Sequence, residues 1–576
     1  MKTSILAGAV LAFLLAATMS AGNAQAAPKG KPQPGATFDW ATVVNNNDPM
    51  PGAPGQRTFN SYNQPSVNLD GLVVFRARSK GGDKQGPPTH GIYTRNLLVA
   101  GPIVRVLDRT TAVPDPNNLD TTFIETPSFP RIDMGSNTIA TRGNHQPVLR
   151  YVPDGETEET RGGTTGIYTN PFGALITGAS KLGSVQAFSF FEVPAPEFPG
   201  TSFEVFPGAP SVTNGNTIVF KGNYTGDRGG ETGVYYRQLD DQSAGGTSPV
   251  VMIANNTDTL IPRTDTVFGS TSPPSAANGL VVFAGFDNEE APTLGGIYLA
   301  PLQSEPKLTP LVSIGEKVPG ERGRKTFNGL GEGGAFDGRF VGFWGAWGEE
   351  TKTMRLYCAT EGNKDRIAYC NQNLVCAGSG EILGDPNSIC DETGCYQERE
   401  VPVHQGIFVH DIKTGRTWPV TKTGEQFDEF LFWNYSGKTP CTGGGHSEEG
   451  GEDDGEPARW RSSAFVAVSS QGAIFNAAFK ARTSDRVDGV YAHPVDGIYL
   501  GQWRGAVQPV NIATVLDTTM SGQVLDPEAP EASTITKLGI ERESLRGNWL
   551  TVNASMGIEG GTEEDGMAGI YLTELP

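Results

Sequence analysis

The sequence predicts an all-β protein made of one repeated four-stranded unit, and three observations predict it. MPGAPGQRTFN at 50–60 returns as VPGERGRKTFN at 318–328. A Gly-Ile-Tyr-like element begins at Gly91, Gly166, Gly233, Gly296, Gly406, Gly497 and Gly569, each preceded by a matching turn glycine at Gly71, Gly135, Gly215, Gly279, Gly338, Gly472 and Gly547. The chain holds 75 glycines and 41 prolines, which is high for a helical protein and ordinary for one of short strands and turns.

Each element of the unit has its own reason. The first strand ends at Asp70-Gly71, Asn214-Gly215, Asn278-Gly279 or Asp337-Gly338, dipeptides that accept the positive φ of a tight hairpin. The second strand reads LVVF, TIVF, LVVF or FVGF, a composition suited to a strand buried on both faces. The Gly-Ile-Tyr element is the third strand. A segment such as 248–254 or 308–314 is the fourth. One such unit cannot bury both faces alone, whereas radial packing on its neighbours can. The fold class is therefore a seven-bladed β-propeller of four-stranded blades. The chain stops just after Gly569-Ile570-Tyr571, one strand short, and 38–52 resembles 310–320. The N-terminal strand is expected to complete the last blade and close the ring, which removes an exposed sheet edge. Two sandwiches joined by a linker are the rival, but no Pro/Ser-rich linker breaks the repeat.

The recurring pattern is Pro-Gly, a phenylalanine, Pro-Ser-Val, an Asn-Gly or Asp-Gly turn, Val-x-Phe, a basic residue, Ala or Gly, then Gly-Ile-Tyr. It resembles a family of exported bacterial tandem-repeat proteins, many of which carry a C-terminal PEP-type sorting tail. The resemblance covers essentially the whole mature chain. It implies a propeller-like fold and brings no family-wide set of catalytic residues. The chain departs from the family in ending at LTELP without that tail.

Lys2, the apolar run Ile5 to Ala17 and the small-residue site Ala24-Gln25-Ala26 read as a signal peptide over 1–26, with the propeller over 27–576. The apolar run is too short to span a membrane. Export to the bacterial periplasm or the medium is expected. The net charge of −20 argues against nucleic acid and anionic membranes as partners. Cys358, Cys370, Cys376, Cys390, Cys395 and Cys441 are expected to form disulfides, since export favours them and no Cys-x-x-Cys pair suggests zinc; the pairing stays open. They fall in or beside two insertions, a cysteine-rich one at 358–405 and an acidic loop at 436–460. The carboxylates of Glu448, Glu449, Glu452, Asp453 and Asp454 lack the alternating spacing of a calcium loop. Solvation is the stronger reading there than calcium, and no cofactor is expected.

Long loops between second and third strands should share one rim, with the tight turns on the other. Binding residues concentrate on such loops, so ligands are expected at the long-loop rim and the mouth of the central channel. Second strands run into these loops as Phe75-Arg76-Ala77-Arg78, Thr141-Arg142-Gly143-Asn144, Phe220-Lys221-Gly222-Asn223 and Phe479-Lys480-Ala481-Arg482. The third position is small in every unit, which predicts a close approach there. The cations either pair with carboxylates of the next blade, as repeated residues usually serve the repeat, or face an anionic ligand. Arg76, Arg78, Arg142, Asn144, Lys221, Asn223, Lys480 and Arg482 are the candidate ligand-binding set.

Two functions are expected. The first is a secreted, non-catalytic binding or scaffold protein with an extracellular polysaccharide or protein ligand, because no specific catalytic motif is present. The alternative is a lyase cleaving a uronate-containing polysaccharide by β-elimination. There His145 and Tyr224, at equivalent positions of neighbouring units, would serve as base and acid beside cations and asparagines. His90 and His404, which directly precede Gly-Ile-Tyr elements, are weaker candidates. Trp344 and Trp347 are expected to pack against the cysteine-rich insertion rather than stack on a sugar.

Overall fold

A computed structural model describes residues 33–34 and most of 38–576. Outside the described residues lie 1–32, 35–37, the loops 82–87, 152–159, 241–245 and 505–511, nearly all of 359–387, all of 437–458, and several shorter stretches. The signal segment, Cys376, Cys441 and the acidic carboxylates at 448–454 therefore lie outside the described residues.

The described residues form seven sheets of four or five strands, antiparallel apart from one short strand of sheet 6, numbered sheets 1 to 7 in chain order. Sheet 1 shows the plan. A split first strand, Phe59–Tyr62 and Ser66–Val67, pairs with Leu72–Ser79, then come His90–Asn96 and Val104–Asp108. Sheets 2, 4 and 5 repeat it over 123–180, 270–313 and 327–422, and sheets 3 and 6 keep the order with an unsplit first strand over 211–255 and 466–517. The turn glycines at 71, 215, 279, 338, 472 and 547 all have positive φ, between 57° and 91°. Gly135 does not share that conformation.

Second strands bury both faces, and the strand period of two explains how. Val73 and Phe75 pack with Val44 and Ile570 of sheet 7, while Val74 between them packs with Ile139 and Tyr168 of sheet 2. The same sharing joins every consecutive pair: Ile167 with Phe220, Val219 with Phe283, Ile297 with Phe343, Ile407 with Phe479, and Ile498 with Leu550.

The repeated phenylalanine of the opening stretch is the ring partner of the third-strand tyrosine. Phe59 meets Tyr93 edge-on at 5.0 Å and Phe327 meets Phe408 at 5.0 Å, with equivalent pairs at Phe123–Tyr168, Phe203–Tyr235, Phe268–Tyr298 and Phe427–Tyr499. Each such pair is worth about 0.5–1.5 kcal/mol beyond its buried area. The same phenylalanine explains the small third position: a Cβ on Gly222 would lie 2.5 Å from the Phe203 ring.

Sheet 7 is completed by the N-terminal strand. Trp40–Asn45 pairs with Met567–Glu574, matching Ala41 to Leu572 and Val44 to Ile570. In sheets 1 to 6 the register slips by one residue at the Ile-Tyr step of the third strand, as at Ile92/Tyr93 and Ile498/Tyr499. The N-terminal strand makes the same slip opposite Ile570 and Tyr571. The displaced carbonyl is what the glycine accommodates. A Cβ on Gly91 would lie 2.8 Å from the Leu107 oxygen, and one on Gly569 would lie 2.6 Å from that of Val44. Upstream, Gln33–Pro34 adds a short parallel strand to sheet 6.

Between the second and third strands of sheet 5 stands a separate three-stranded sheet, Thr351–Tyr357, Ile389–Cys390 and Cys395–Pro402. Disulfides Cys358–Cys370 and Cys390–Cys395 tie it. Its Val401 and Met354 pack into the core shared by sheets 5 and 6. No helix among the described residues is long and apolar enough to cross a membrane.

Candidate functional site

One pairing recurs in all seven sheets: the small third residue at the end of the second strand, which follows a cation in four of them, lies opposite the Gly-Ile-Tyr glycine, as Ala77 to Gly91, Gly222 to Gly233 and Ala481 to Gly497. The next residue outward therefore sits on a defined row at the long-loop end of each sheet. In sheet 1 that row reads Ser61, Arg78, His90 across three strands. In sheet 6 it reads Glu429, Arg482, Asp496. The same backbone position carries an arginine in both, with different neighbours.

In sheet 6 the arginine is internally matched. Arg482 Nε donates to Asp496 at 2.8 Å and Nη2 to its other oxygen at 3.3 Å. In sheet 1, Arg78 Nε donates to Ser61 Oγ at 2.7 Å. Among the described residues no carboxylate pairs with it. Arg109, at the end of the fourth strand, donates to the Pro88 carbonyl at 2.9 Å and likewise has no described carboxylate. Arg76 Nη2 lies 3.4 Å from His90 Nδ1, and Arg57 Nη1 lies 3.4 Å from both Ser79 Oγ and Thr89 Oγ1. Burial, then the charges of Arg76, Arg78 and Arg109, lowers the His90 pKa from 6.5 to about 4. The imidazole is thus neutral at ordinary pH, ringed by guanidinium groups, in a protein of net charge −20. The imidazole can accept a proton once a bound anion offsets these cations, and guanidinium groups such as that of Arg78 bind carboxylate or sulfate.

The other cations of the sequence set serve different places. Arg76 Nε donates to the Thr126 carbonyl and Nη1 to Asn63 at 2.8 Å, and Arg142 Nη1 donates to the Phe206 carbonyl at 2.7 Å. Both thus reach the chain entering the next sheet and bond backbone oxygen there. Lys221 is half-buried. Burial lowers the pKa of Lys480. Asn223 is half-buried, and its Oδ1 has no hydrogen-bond partner.

Tyr224 lies 2% exposed. Its hydroxyl meets Thr257 Oγ1 at 3.0 Å, Thr257 donates to Glu231 at 3.3 Å, and burial raises the phenol pKa. The hydroxyl is thus bonded to neighbours at the long-loop end of sheet 3. Asn144 and His145 end the second strand of sheet 2, and their side chains lie outside the described residues. Trp344 donates to Gln405 Oε1 at 2.9 Å inside the core, and Trp347 stacks on His404.

The inner first strands of the sheets lie against one another, and the segment Glu541–Ser544 of sheet 7 sits among them. Arg131 of sheet 2 pairs with Glu541 at 3.0 Å, Ser211 of sheet 3 donates to Glu543 at 2.9 Å, Arg542 donates at 2.8 Å to the Pro273 carbonyl between the halves of the first strand of sheet 4, and Ser544 donates to Pro65 of sheet 1 at 2.7 Å. All four residues of the segment are under 9% exposed. The segment thus ties sheet 7 to residues of sheets 1 to 4. Among the described residues no group of three His, Cys, Asp or Glu could hold a metal ion.

No protein-family model matches the chain, and no curated protein matches it either. Among solved structures it is similar to the polysaccharide lyase Uly1, at 8% identity and TM-score 0.38, covering 94% of this chain and 100% of that one. It is similar to a Trypanosoma rangeli sialidase at 10% identity and TM-score 0.32, covering 78% of this chain and 58% of that one. It is similar to levansucrase from Bacillus subtilis at 9% identity and TM-score 0.25, covering 63% and 80%. With identities and TM-scores this low, the reading of function rests on this chain's own residues.

Proposed function

We propose that the seven sheets are the blades of one closed β-propeller over 27–576, exported after removal of 1–26, and that its long-loop rim binds an acidic polysaccharide at the first sheet. The observation that carries the reading is the contrast between Arg78 and Arg482. One backbone position holds an arginine supplied with an internal carboxylate in sheet 6 and an arginine beside Ser61 and neutral His90 in sheet 1. Cations left without internal counterions at one place on an acidic surface fit an anionic ligand. Support for the ring is the apolar packing between each consecutive pair of sheets and between sheet 7 and sheet 1, with the N-terminal strand in the fourth place of sheet 7.

A second reading is favoured by the state of His90. A neutral imidazole flanked by guanidinium groups suits β-elimination from a uronate. The arginines neutralise the carboxylate, His90 takes the proton α to it, the bond to the glycosidic oxygen breaks as the ring double bond forms, and water protonates the leaving oxygen. One experiment separates the readings. The protein is incubated with polygalacturonate, alginate and hyaluronate, with amylose as the neutral control. Binding is read by retention and cleavage by the absorbance of new unsaturated ends. Binding to acidic chains alone, lost in Arg78→Gln, is expected. Equal retention on amylose would sink the site, and absorbance that disappears in His90→Ala would establish the lyase.

A further inference from the structure

The row that places Arg78 also places Arg482, and the surroundings of Arg482 hold an unused feature. Glu429 takes the position of Ser61, joined to Arg482 by a backbone hydrogen bond of 2.9 Å. Its side chain is buried, the residue being 3% exposed, and Oε1 has no hydrogen-bond partner. Arg482 itself is 35% exposed, its Nε and Nη2 serve Asp496, and Nη1 has no partner among the described residues.

We propose that this junction of sheets 5 and 6 is a second anion site, in which a sugar carboxylate or sulfate pairs with the outward face of Arg482 once Glu429 beneath it is neutral. The proposal takes the acidic-polysaccharide reading of the rim for its ligand class, and adds a site and a condition. The groups facing Glu429 are Arg482 from the second strand of sheet 6, Asp496 from its third strand, Lys352 from the disulfide-tied insertion sheet, and Asp428 from its own connection. Lys480 stands two residues before Arg482, on the same side of its strand, and faces the Arg482 and Asp496 charges. Protonating Glu429 removes one negative charge from beside the partly exposed guanidinium of Arg482 and makes the potential there more positive.

The geometry makes that protonation accessible. A buried carboxylate oxygen without a donor favours the protonated form. Burial raises the Glu429 pKa from 4.5 to about 7, against the pull of Arg482 and Lys352. Lys352 Nζ donates to the Asp428 carbonyl at 3.0 Å, so the insertion sheet is fixed over this junction. Sheet 1 carries no acid in this place and holds its site open at all pH. Sheet 6 carries its own, and opens only in acid.

The experiment uses the full mature protein and trigalacturonate, whose carboxylates stay ionised at both conditions, in calorimetric titrations at about pH 8 and about pH 5.5. Arg78→Gln removes the first site and is the background. In it, binding should be absent at the higher pH and present at the lower, at least roughly tenfold tighter. Adding Glu429→Gln should give binding at both pH values, and adding Arg482→Gln should give none at either. Acid-induced binding that persists without Arg482, or a folded Glu429→Gln protein that does not bind at the higher pH, would overturn the proposal. If Arg78→Gln binds like the wild type at the higher pH, the first site is wrong, and the Arg482→Gln comparison in acid still decides this one. Should Glu429→Gln unfold, carbon-13 NMR of the Glu429 carboxyl in the Arg78→Gln protein serves instead. Trigalacturonate must increase its proton occupancy, since the coupling is reciprocal, and no change overturns the idea.

Discussion

Arg78 and His90 lie directly opposite one another on the second and third strands of sheet 1, with Ser61 on the far side of the arginine and no described carboxylate bonded to it. In sheet 6 the same two places hold Arg482 and Asp496, bonded at 2.8 Å. On the proposed function, a repeat that supplies a counterion in one copy and omits it in another leaves the second copy for an outside anion.

Arg78→Gln should weaken binding of acidic oligosaccharides by roughly ten- to a hundred-fold, the scale of one charge-assisted contact of about 1.5–3 kcal/mol. Arg78→Lys should keep part of the affinity but lose the two-pronged geometry. Titration calorimetry in moderate salt checks both, and an unchanged affinity in Arg78→Gln rules the site out.

His90 should remain neutral until the pH falls to about 4. Removing a neighbouring cation, as in Arg76→Gln or Arg78→Gln, should move its pKa upward toward the ordinary 6.5. A bound carboxylate should do the same, so ligand binding takes up protons below pH about 6.5. Proton NMR of the imidazole resolves the shift, and a His90 titrating normally in the free protein would remove the basis for its role.

Glu429 makes stability pH-dependent in a direction set by its raised pKa. The folded state holds the proton up to about pH 7 and the unfolded chain releases it near 4.5. Stability therefore falls as pH rises through that window, by about 3 kcal/mol at most. Glu429→Gln should flatten this fall and be the more stable protein at about pH 8, with little difference at about pH 4.5. Chemical denaturation at the two pH values measures it, and parallel losses in both proteins would contradict the assignment.

Deleting 27–46 should uncover the outer edge of Met567–Glu574 and strip Val43 and Val44, both fully buried, from the core shared by sheets 7 and 1. Each lost valine costs about 1.5–3 kcal/mol, and the bare edge invites association. The truncated protein should melt lower and aggregate. A monomeric protein of unchanged melting temperature would disprove the closure.

Much of this was legible in the residues. The turn glycines, the Gly-Ile-Tyr elements and the displaced N-terminal strand are local patterns repeated often enough to align, so the sheets followed from counting. Arg76 and Arg78 were visible because they repeat in place. His90 was visible only as a histidine before Gly91. Its importance depends on register, since Ala77 opposite Gly91 puts Arg78 opposite His90, and the small-residue pairing that fixes this recurs in every unit. Glu429 and Arg109 lie in irregular connections, where no period predicts a partner. The burial of Glu541–Ser544 among the inner strands was not readable either, because its partners come from four other sheets, as far away in sequence as Pro65.

The most direct measurement is a crystal structure of the protein with trigalacturonate bound at neutral pH. The expected result is a sugar carboxylate within hydrogen-bonding distance of the Arg78 guanidinium, with His90 beside the ring and Glu541–Ser544 still buried among the inner strands. Sugar density on the tight-turn rim, or among the inner strands with that segment displaced, would contradict the site.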